Sequence, residues 1–458
     1  MANKAKDVNQ FHISRQVYMK DSERSAGRIL RGRLGTVVVT LSVLLTFALA
    51  ASAQVQSGYI VMFRPGTTRA ARADLARRAG AVMRFNYSIV DAIAVRALNA
   101  NARALLQQDR SVIAIVPDFP IYGVAPRLPG LSPPPQDPSA TQTIPAGVNR
   151  VGVPGEASNG DGIGVAIIDT GIDFGHPDLA PAADWFTAVG ESCQDDHGHG
   201  THVTGIIAAL DNDIDVVGVA PKATPYCVKV LDSTFTGSDS NIIAGLDWVF
   251  SNNAILSPPI RAVNMSLGRD GTLDDNPALR AAVSRLYDLG IVMLVAAGND
   301  PSLEVSQRVP AGYPEVLAIA ATSAVDGQNS CPFAGPILAD TAAYFTTDGR
   351  YDPDTGIGVT MSAPGEEEED TDLLCTISSL GILSTGLGGG TTRMSGTSMA
   401  TAHVTGIVAR LMQSGMAGVE NIRGFIRSSA DRIGIAPLDS PSSDYTFDGE
   451  REGITQAP

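Results

Sequence analysis

The chain has 458 residues, 44% of them hydrophobic and 18% charged, enough to bury a sizeable core and too apolar for a disordered chain. Its formal net charge of -15 argues against a nucleic-acid partner, because acidic surfaces repel phosphate. Cys193, Cys227, Cys331 and Cys375 show no C-x-x-C spacing, which speaks against zinc, while the even count permits two disulfides in an oxidising compartment.

At the N-terminus the basic leader RSAGRILRGRLG precedes an apolar run, Thr36–Ala50, and the small residues Ala51–Ala53. That order is the pattern of a secretory signal peptide cleaved after Ala53, so residues 1–53 are expected to be removed on export. An uncleaved membrane anchor is the competing reading, although a span needs about 20 apolar residues. Residues 54–123 follow as a small unit. GYIVMFRP and DAIAVRAL alternate as strands, TRAARADLARRAG has helical spacing, and SVIAIVPDFPIYG reads as another strand. Residues 124–141 are rich in Pro and Ser (APRLPGLSPPPQDPSA), cannot hold a core, and read as an exposed, easily cut tether.

From 142 to 438 short apolar strands (GVAIIDTG, PYCVKVL, AVNMSLG, VMLVAAGN, VLAIAA) alternate with helical stretches (HVTGIIAAL, SNIIAGLDWVFSN, ALRAAVSRLYDLG). The pattern predicts an α/β fold with a mostly parallel sheet covered by helices on both faces, and working residues at the strands' carboxyl ends. GEEEED, residues 365–370, reads as a solvated loop in preference to a metal site, and residues 439–458 as a polar, irregular tail.

Three separated stretches carry chemistry. Asp169 ends the apolar strand VAIIDTG, where a carboxylate without a partner would be costly; a turn aspartate is the plainer alternative. HGHGTHVTG brings His197, His199 and His202 to a helix start, but without the HExxH spacing of a zinc hydrolase. A histidine between glycines can approach a serine closely and shuttle a proton near neutral pH. Ser398, in RMSGTSMATAHVTG, sits among small residues at the start of another helix, as a nucleophile needs.

The segments DTGID…HPDL, HGTHVTG, DNDIDVVGVAP, NMSLG, VAAGN, SAPG and GTSMATAHV occur in the order found in the subtilisin-like serine proteases, and over about 300 residues the chain resembles that family. The order Asp…His…Ser is itself subtilisin's. The resemblance implies an orienting acid at Asp169, a general base at His199, a nucleophile at Ser398 and an oxyanion donor at Asn299. His202 becomes a helix-packing residue and His197 a loop residue. Ser266, Leu267 and Gly268 match the edge that pairs with extended substrate, and Gly298 the wall of the pocket for the side chain before the cut. Arg308 lies where that pocket's floor is expected, either to attract acidic side chains or, the favoured reading, to point to solvent.

A structural calcium ion follows from the same resemblance, held by the carbonyls of Leu210, Ile214 and Val216 and the side chains of Asn212, Asp178 and Gln142. The small unit resembles the family's inhibitory propeptide, with self-cleavage between about Tyr122 and Thr141. Closeness along the chain suggests the pairs Cys193–Cys227 and Cys331–Cys375. About 25 extra residues, 335–360, depart from the family pattern and suggest a surface loop or another ion site. The expected protein is a secreted (extracellular or periplasmic), calcium-stabilised serine endopeptidase. It is made as a monomeric zymogen with its own propeptide as inhibitor, and meets the membrane only during export. A catalytically silent binding domain on the same fold is the alternative, and a metal-dependent hydrolase a weaker one.

Overall fold

Alternation decides the small unit. In β1 (Tyr59–Phe63), Tyr59, Val61 and Phe63 face a cluster with Leu75, Ala76 and Leu106, whereas Ile60 faces the opposite way. Two helices, α1 (Arg69–Ala79) and α2 (Ala100–Gln108), cover the first face. With β2 (Val82–Asn86), β3 (Ala92–Arg96) and β4 (Val112–Pro117), the antiparallel sheet runs β2-β3-β1-β4. The computed structural model describes residues 58–96, 98–124, 141–155, 157–432 and 452–457. The leader and signal segment 1–53, the tether residues 125–140 and most of the tail lie outside them. The described residues belong to one compact unit, Gln56–Pro458.

SVIAIVPDFPIYG is two strands and not one. After β4 the chain breaks at Asp118, whose carboxylate accepts from the Ser240 backbone N–H at 2.8 Å and from its hydroxyl at 2.7 Å. It then continues as β5 (Pro120–Gly123), which leaves the small sheet for the larger part.

That part begins with α3 (Ala146–Val151), β6 (Gly164–Asp169), β7 (Phe186–Thr187), α4 (His199–Ala208), β8 (Thr224–Lys229) and β9 (Thr236–Ser238). Next come α5 (Asp239–Asn252), β10 (Ile260–Met265), β11 (Leu267–Asp270), α6 (Pro277–Asp288), β12 (Val292–Ala296), β13 (Arg308–Val309) and β14 (Leu317–Ser323). It closes with β15 (Val359–Glu366), β16 (Glu368–Thr371), β17 (Ile377–Leu380), β18 (Ile382–Thr385), β19 (Thr391–Met394), α7 (Thr397–Gln413) and α8 (Val419–Ser429).

The seven-stranded sheet has the order β15-β14-β12-β10-β6-β8-β7, and its neighbours are parallel. Its strands are mainly apolar because both faces are buried: Val165 and Ile167 of β6 join the cluster under α4 and α7, while Ala166 and Ile168 join the one under α5 and α6. The expected α/β fold with helices on both faces is therefore found. Among the described residues no helix is long and apolar enough to cross a membrane.

Three regions differ from the sequence reading. The extra segment is not simply a surface loop, because its middle is core: Thr341, Ala342, Ala343 and Phe345–Gly349 are buried. The acidic run is not a solvated loop either, because Glu366 and Glu369 are 0% exposed at the β15–β16 junction. Burial holds both carboxyls above the usual range, and the nearby Glu369 carboxylate raises Glu366 further. Residues 452–457 return to the fold, where Ile454 is fully buried and bridges Asp431 and Ser362. Both disulfides form as paired above, Cys193–Cys227 and Cys331–Cys375.

Candidate active site

Asp169 is the last residue of β6, near the middle of the sheet, and is 0% exposed. Its Oδ1 accepts from the Thr170 backbone N–H at 2.8 Å and lies 2.8 Å from Nδ1 of His199. His199 opens α4, and the glycine after it is required: a Cβ on Gly200 would run into the Gly171 carbonyl oxygen and sit 3.2 Å from the Asp169 side chain. A residue that the sequence reading passed over fixes this turn. Asp195 takes the backbone N–H groups of His197 (3.0 Å) and Gly198 (2.9 Å) on one oxygen and that of Thr201 (2.9 Å) on the other. An aspartate just ahead of a helix was the available signal.

The other two histidines have different surroundings. His202 is fully buried, its Nε2 lies 3.0 Å from the Ile382 carbonyl oxygen, and burial pushes its pKa down to about 3, so it packs as a neutral ring. His197 stacks on Phe235 with 4.4 Å between ring centres and 6° between planes. Phe235 also meets His199, at 4.5 Å.

Ser398 is the second residue of α7 and is wholly buried. Its Oγ donates to the carbonyl oxygen of Val124 at 2.9 Å. The Nδ2 of Asn299 donates to the same oxygen at 3.2 Å. Thr397 locks that amide by giving its backbone N–H (3.0 Å) and hydroxyl (2.9 Å) to Asn299 Oδ1. Nε2 of His199 is buried without a hydrogen-bond partner. The extra segment braces the Asn299 turn: Thr347 donates its N–H to Gly298 O at 2.9 Å and its hydroxyl to Asp300 O at 2.9 Å.

The Val124 carbonyl is held there by main-chain pairing. β5 lies antiparallel between β11 and β9, with Leu267 opposite Gly123 and Gly268 opposite Tyr122. Val124 N donates to Ser266 O at 3.2 Å. Ser266, Leu267 and Gly268 thus line an extended peptide, and that peptide is the chain's own residues 120–124. Val124 faces a cleft of about 560 Å³ bordered by Gly268, Asn299 and Arg308. Arg308 does not point to solvent. Its side chain is 13% exposed, pairs with Asp270, and lies so close to Gly298 that a Cβ there would meet its Nε at 2.9 Å.

The six residues expected to hold a cation also come together. Gln142 Nε2 donates to the carbonyls of Leu210 (2.7 Å), Val216 (3.1 Å) and Ile214 (3.4 Å), so the three carbonyls converge on one point. Asp178 is 0% exposed; its Oδ2 accepts from Val216 N at 3.2 Å, whereas its Oδ1 has no hydrogen-bond partner. Asn212 Oδ1 accepts from Ile214 N at 3.2 Å.

Comparison with known proteins decides the family. The model of the Subtilase family (Peptidase_S8) matches residues 160–449, more than half of the chain. This chain belongs to the subtilase family. Subtilisin E of Bacillus subtilis (strain 168) is 32% identical over 373 residues, covering 79% of this chain and 82% of its own. Subtilisin Savinase of Lederbergia lenta is 33% identical over 302 residues, 65% of this chain and 95% of its own. Among solved structures, fervidolysin from Fervidobacterium pennivorans, titled a keratinolytic enzyme related to subtilisin, shares the fold with a TM-score of 0.61 at 22% identity. The match covers 87% of this chain, which spans 60% of that one. The subtilase is a serine endopeptidase, and peptides are its substrates.

Proposed function

We propose that this subtilase is an exported, calcium-stabilised, monomeric endopeptidase made as a zymogen, and that it cuts its own chain between Val124 and Ala125. The observation that carries the reading is the Val124 carbonyl oxygen, 2.9 Å from Ser398 Oγ and 3.2 Å from Asn299 Nδ2. A carbonyl so placed is a substrate carbonyl, with Asn299 aimed at the oxygen on which charge develops. For attack, Ser398 Oγ turns its proton from that oxygen to the unpartnered Nε2 of His199 and bonds to the carbonyl carbon. His199 then returns the proton to the leaving amine of Ala125, and water repeats the sequence on the acyl-enzyme. Asp169, on the far ring nitrogen, fixes the tautomer and balances the imidazolium.

Until release, β5 fills the substrate edge and residues 58–124 inhibit by occupation. The signal-like N-terminus and two disulfides, with no free cysteine, favour export to an oxidising compartment. Calcium would be held by the Leu210, Ile214 and Val216 carbonyls with Gln142, Asn212 and Asp178. The fit rests on the three converging carbonyls and the orphaned Asp178 Oδ1, an all-oxygen set suited to a hard cation if the Gln142 amide turns its oxygen inward. Bound there, the ion ties the α4–β8 loop to residue 142 and takes no part in the reaction.

A fluorophosphonate probe tests the assignment. The activated protein is expected to take up one label, mapped by mass spectrometry to the Ser398 peptide, and Asp169→Asn is expected to slow the labelling. A label elsewhere, or none on protein that cleaves peptides, removes Ser398 as the nucleophile.

A further inference from the structure

The strand that leads to Val124 ends in a glycine, and its surroundings explain why. Gly123 lies in the extended β5 pairing, where its backbone does not require glycine, and it is absent from the positive-φ residues. What excludes a side chain is Phe235. A Cβ on Gly123 would stand 1.9 Å from both Cε2 and Cζ of that ring and 2.4 Å from Cδ2.

The ring cannot swing away freely, because two ring contacts and one main-chain bond hold the residue. It stacks on His197 at 4.4 Å, it meets His199 at 4.5 Å, and the Phe235 carbonyl accepts the Gly123 N–H at 3.1 Å. Phe235 also sits at φ 64°, in the left-handed region that bulky residues avoid, so its backbone is strained to present the ring here. Neither the sequence reading nor the family comparison singles out this residue.

We propose that Phe235 is a specificity-determining residue that closes the second subsite, so that the enzyme prefers substrates with glycine next to the residue at the cut. The preferred substrate class is then an extended peptide of the type apolar–aromatic–Gly–small aliphatic, as in Ile121-Tyr122-Gly123-Val124. This rests on the reading of Val124–Ala125 as the bond that is cut. A side chain at the second position forces the ring off both histidines, one of them the proposed base, so discrimination appears in turnover as well as in binding.

The test uses the full-length protein, expressed and activated, with two chromogenic peptide amides, Ile-Tyr-Gly-Val and Ile-Tyr-Ala-Val. Wild type is expected to favour the glycine peptide in kcat/KM by about 10–200-fold, the scale one ill-fitting methylene produces. In Phe235→Gly, a residue that the backbone there accepts, the ratio is expected to fall to within about threefold. The ratio cancels any general change in activity. A wild-type ratio near one, or a ratio unmoved in Phe235→Gly, overturns the inference. The failure of the self-cleavage reading looks different: the precursor stays uncut at Val124–Ala125 while the two peptides are still discriminated.

Discussion

The small unit and the seven-stranded part bury their sheets in opposite ways. The large sheet is closed on both faces by helices of its own part, and its residues from Val165 to Ile168 are at most 1% exposed. In the small unit only one face is covered by its own helices. The other, with Ile60, Ala92 and Ala94, packs into a cluster that includes Ile242, Ile243 and Leu246 of α5. Polar contacts reinforce the junction: Tyr87 Oη donates to Ser240 O at 3.0 Å, and Asp247 accepts the N–H groups of Ser88 (2.7 Å) and Ile89 (2.6 Å). The larger part therefore holds a core that is complete without the smaller one. The smaller one borrows half of its core, and under the proposed cut at Val124 its docking would weaken once the two parts are no longer covalently joined.

Several changes sharpen that contrast. The largest effect is expected from Ser398→Ala, which should lower peptide hydrolysis on the order of 10⁶-fold, a magnitude that comes from subtilisin itself, and leave the small unit permanently attached. Asn299→Ala should cost about 10²–10³-fold in kcat, again the scale seen in subtilisin, with KM little changed, since the donor matters most when the oxygen is charged. Steady-state kinetics on one peptide checks both.

Asp247→Ala acts on the junction alone. In a Ser398→Ala background it should reduce hydrogen-exchange protection in β1 and β3 by about 1–3 kcal/mol, the penalty for two N–H groups losing a partly buried acceptor. Protection in β10 and β12 should not change; equal loss in both regions would mean that the two parts unfold as one.

Glu366→Gln touches only the large part. The folded pKa values of Glu366 and Glu369 are raised, so the pair's contribution is fully present below the ordinary glutamate range. It is lost as pH rises toward the folded values, because the unfolded chain releases protons that the folded pair retains. The variant should therefore gain in Tm relative to wild type as pH rises above the ordinary glutamate range, by calorimetry. A gain on going to acid instead would show that the pair is ionised in the fold.

How far the sequence carries depends on what each residue needs. Asp169, His199, Asn299 and Ser398 stand out because proton transfer and charge stabilisation demand those residue types at strand and helix ends; Ser398 and Asn299 meet at the Val124 carbonyl, and Asp169 pairs with His199. The strands of the large sheet are legible because burial on both faces leaves them mostly apolar, with polar residues such as Asp169 at their ends. Phe235 is not legible, since an aromatic in a Thr- and Gly-rich loop reads as ordinary, and only the three-dimensional approach of Gly123 gives it a role. The acidic run misleads for a related reason: clustered glutamates normally stay in water, and nothing along the chain marks Glu366 and Glu369 as buried. Arg308 is hidden by its ion pair with Asp270, 38 residues away. The break at Asp118 depends on Ser240, 122 residues later.

The most direct measurement is intact mass with N-terminal sequencing of the purified wild type and Ser398→Ala proteins after incubation with calcium. The account predicts a mature wild type that begins at Ala125 and a Ser398→Ala protein that retains residues 58–124 on the same chain. A wild type left whole at Val124–Ala125, or a Ser398→Ala protein trimmed to the same residue, would contradict it.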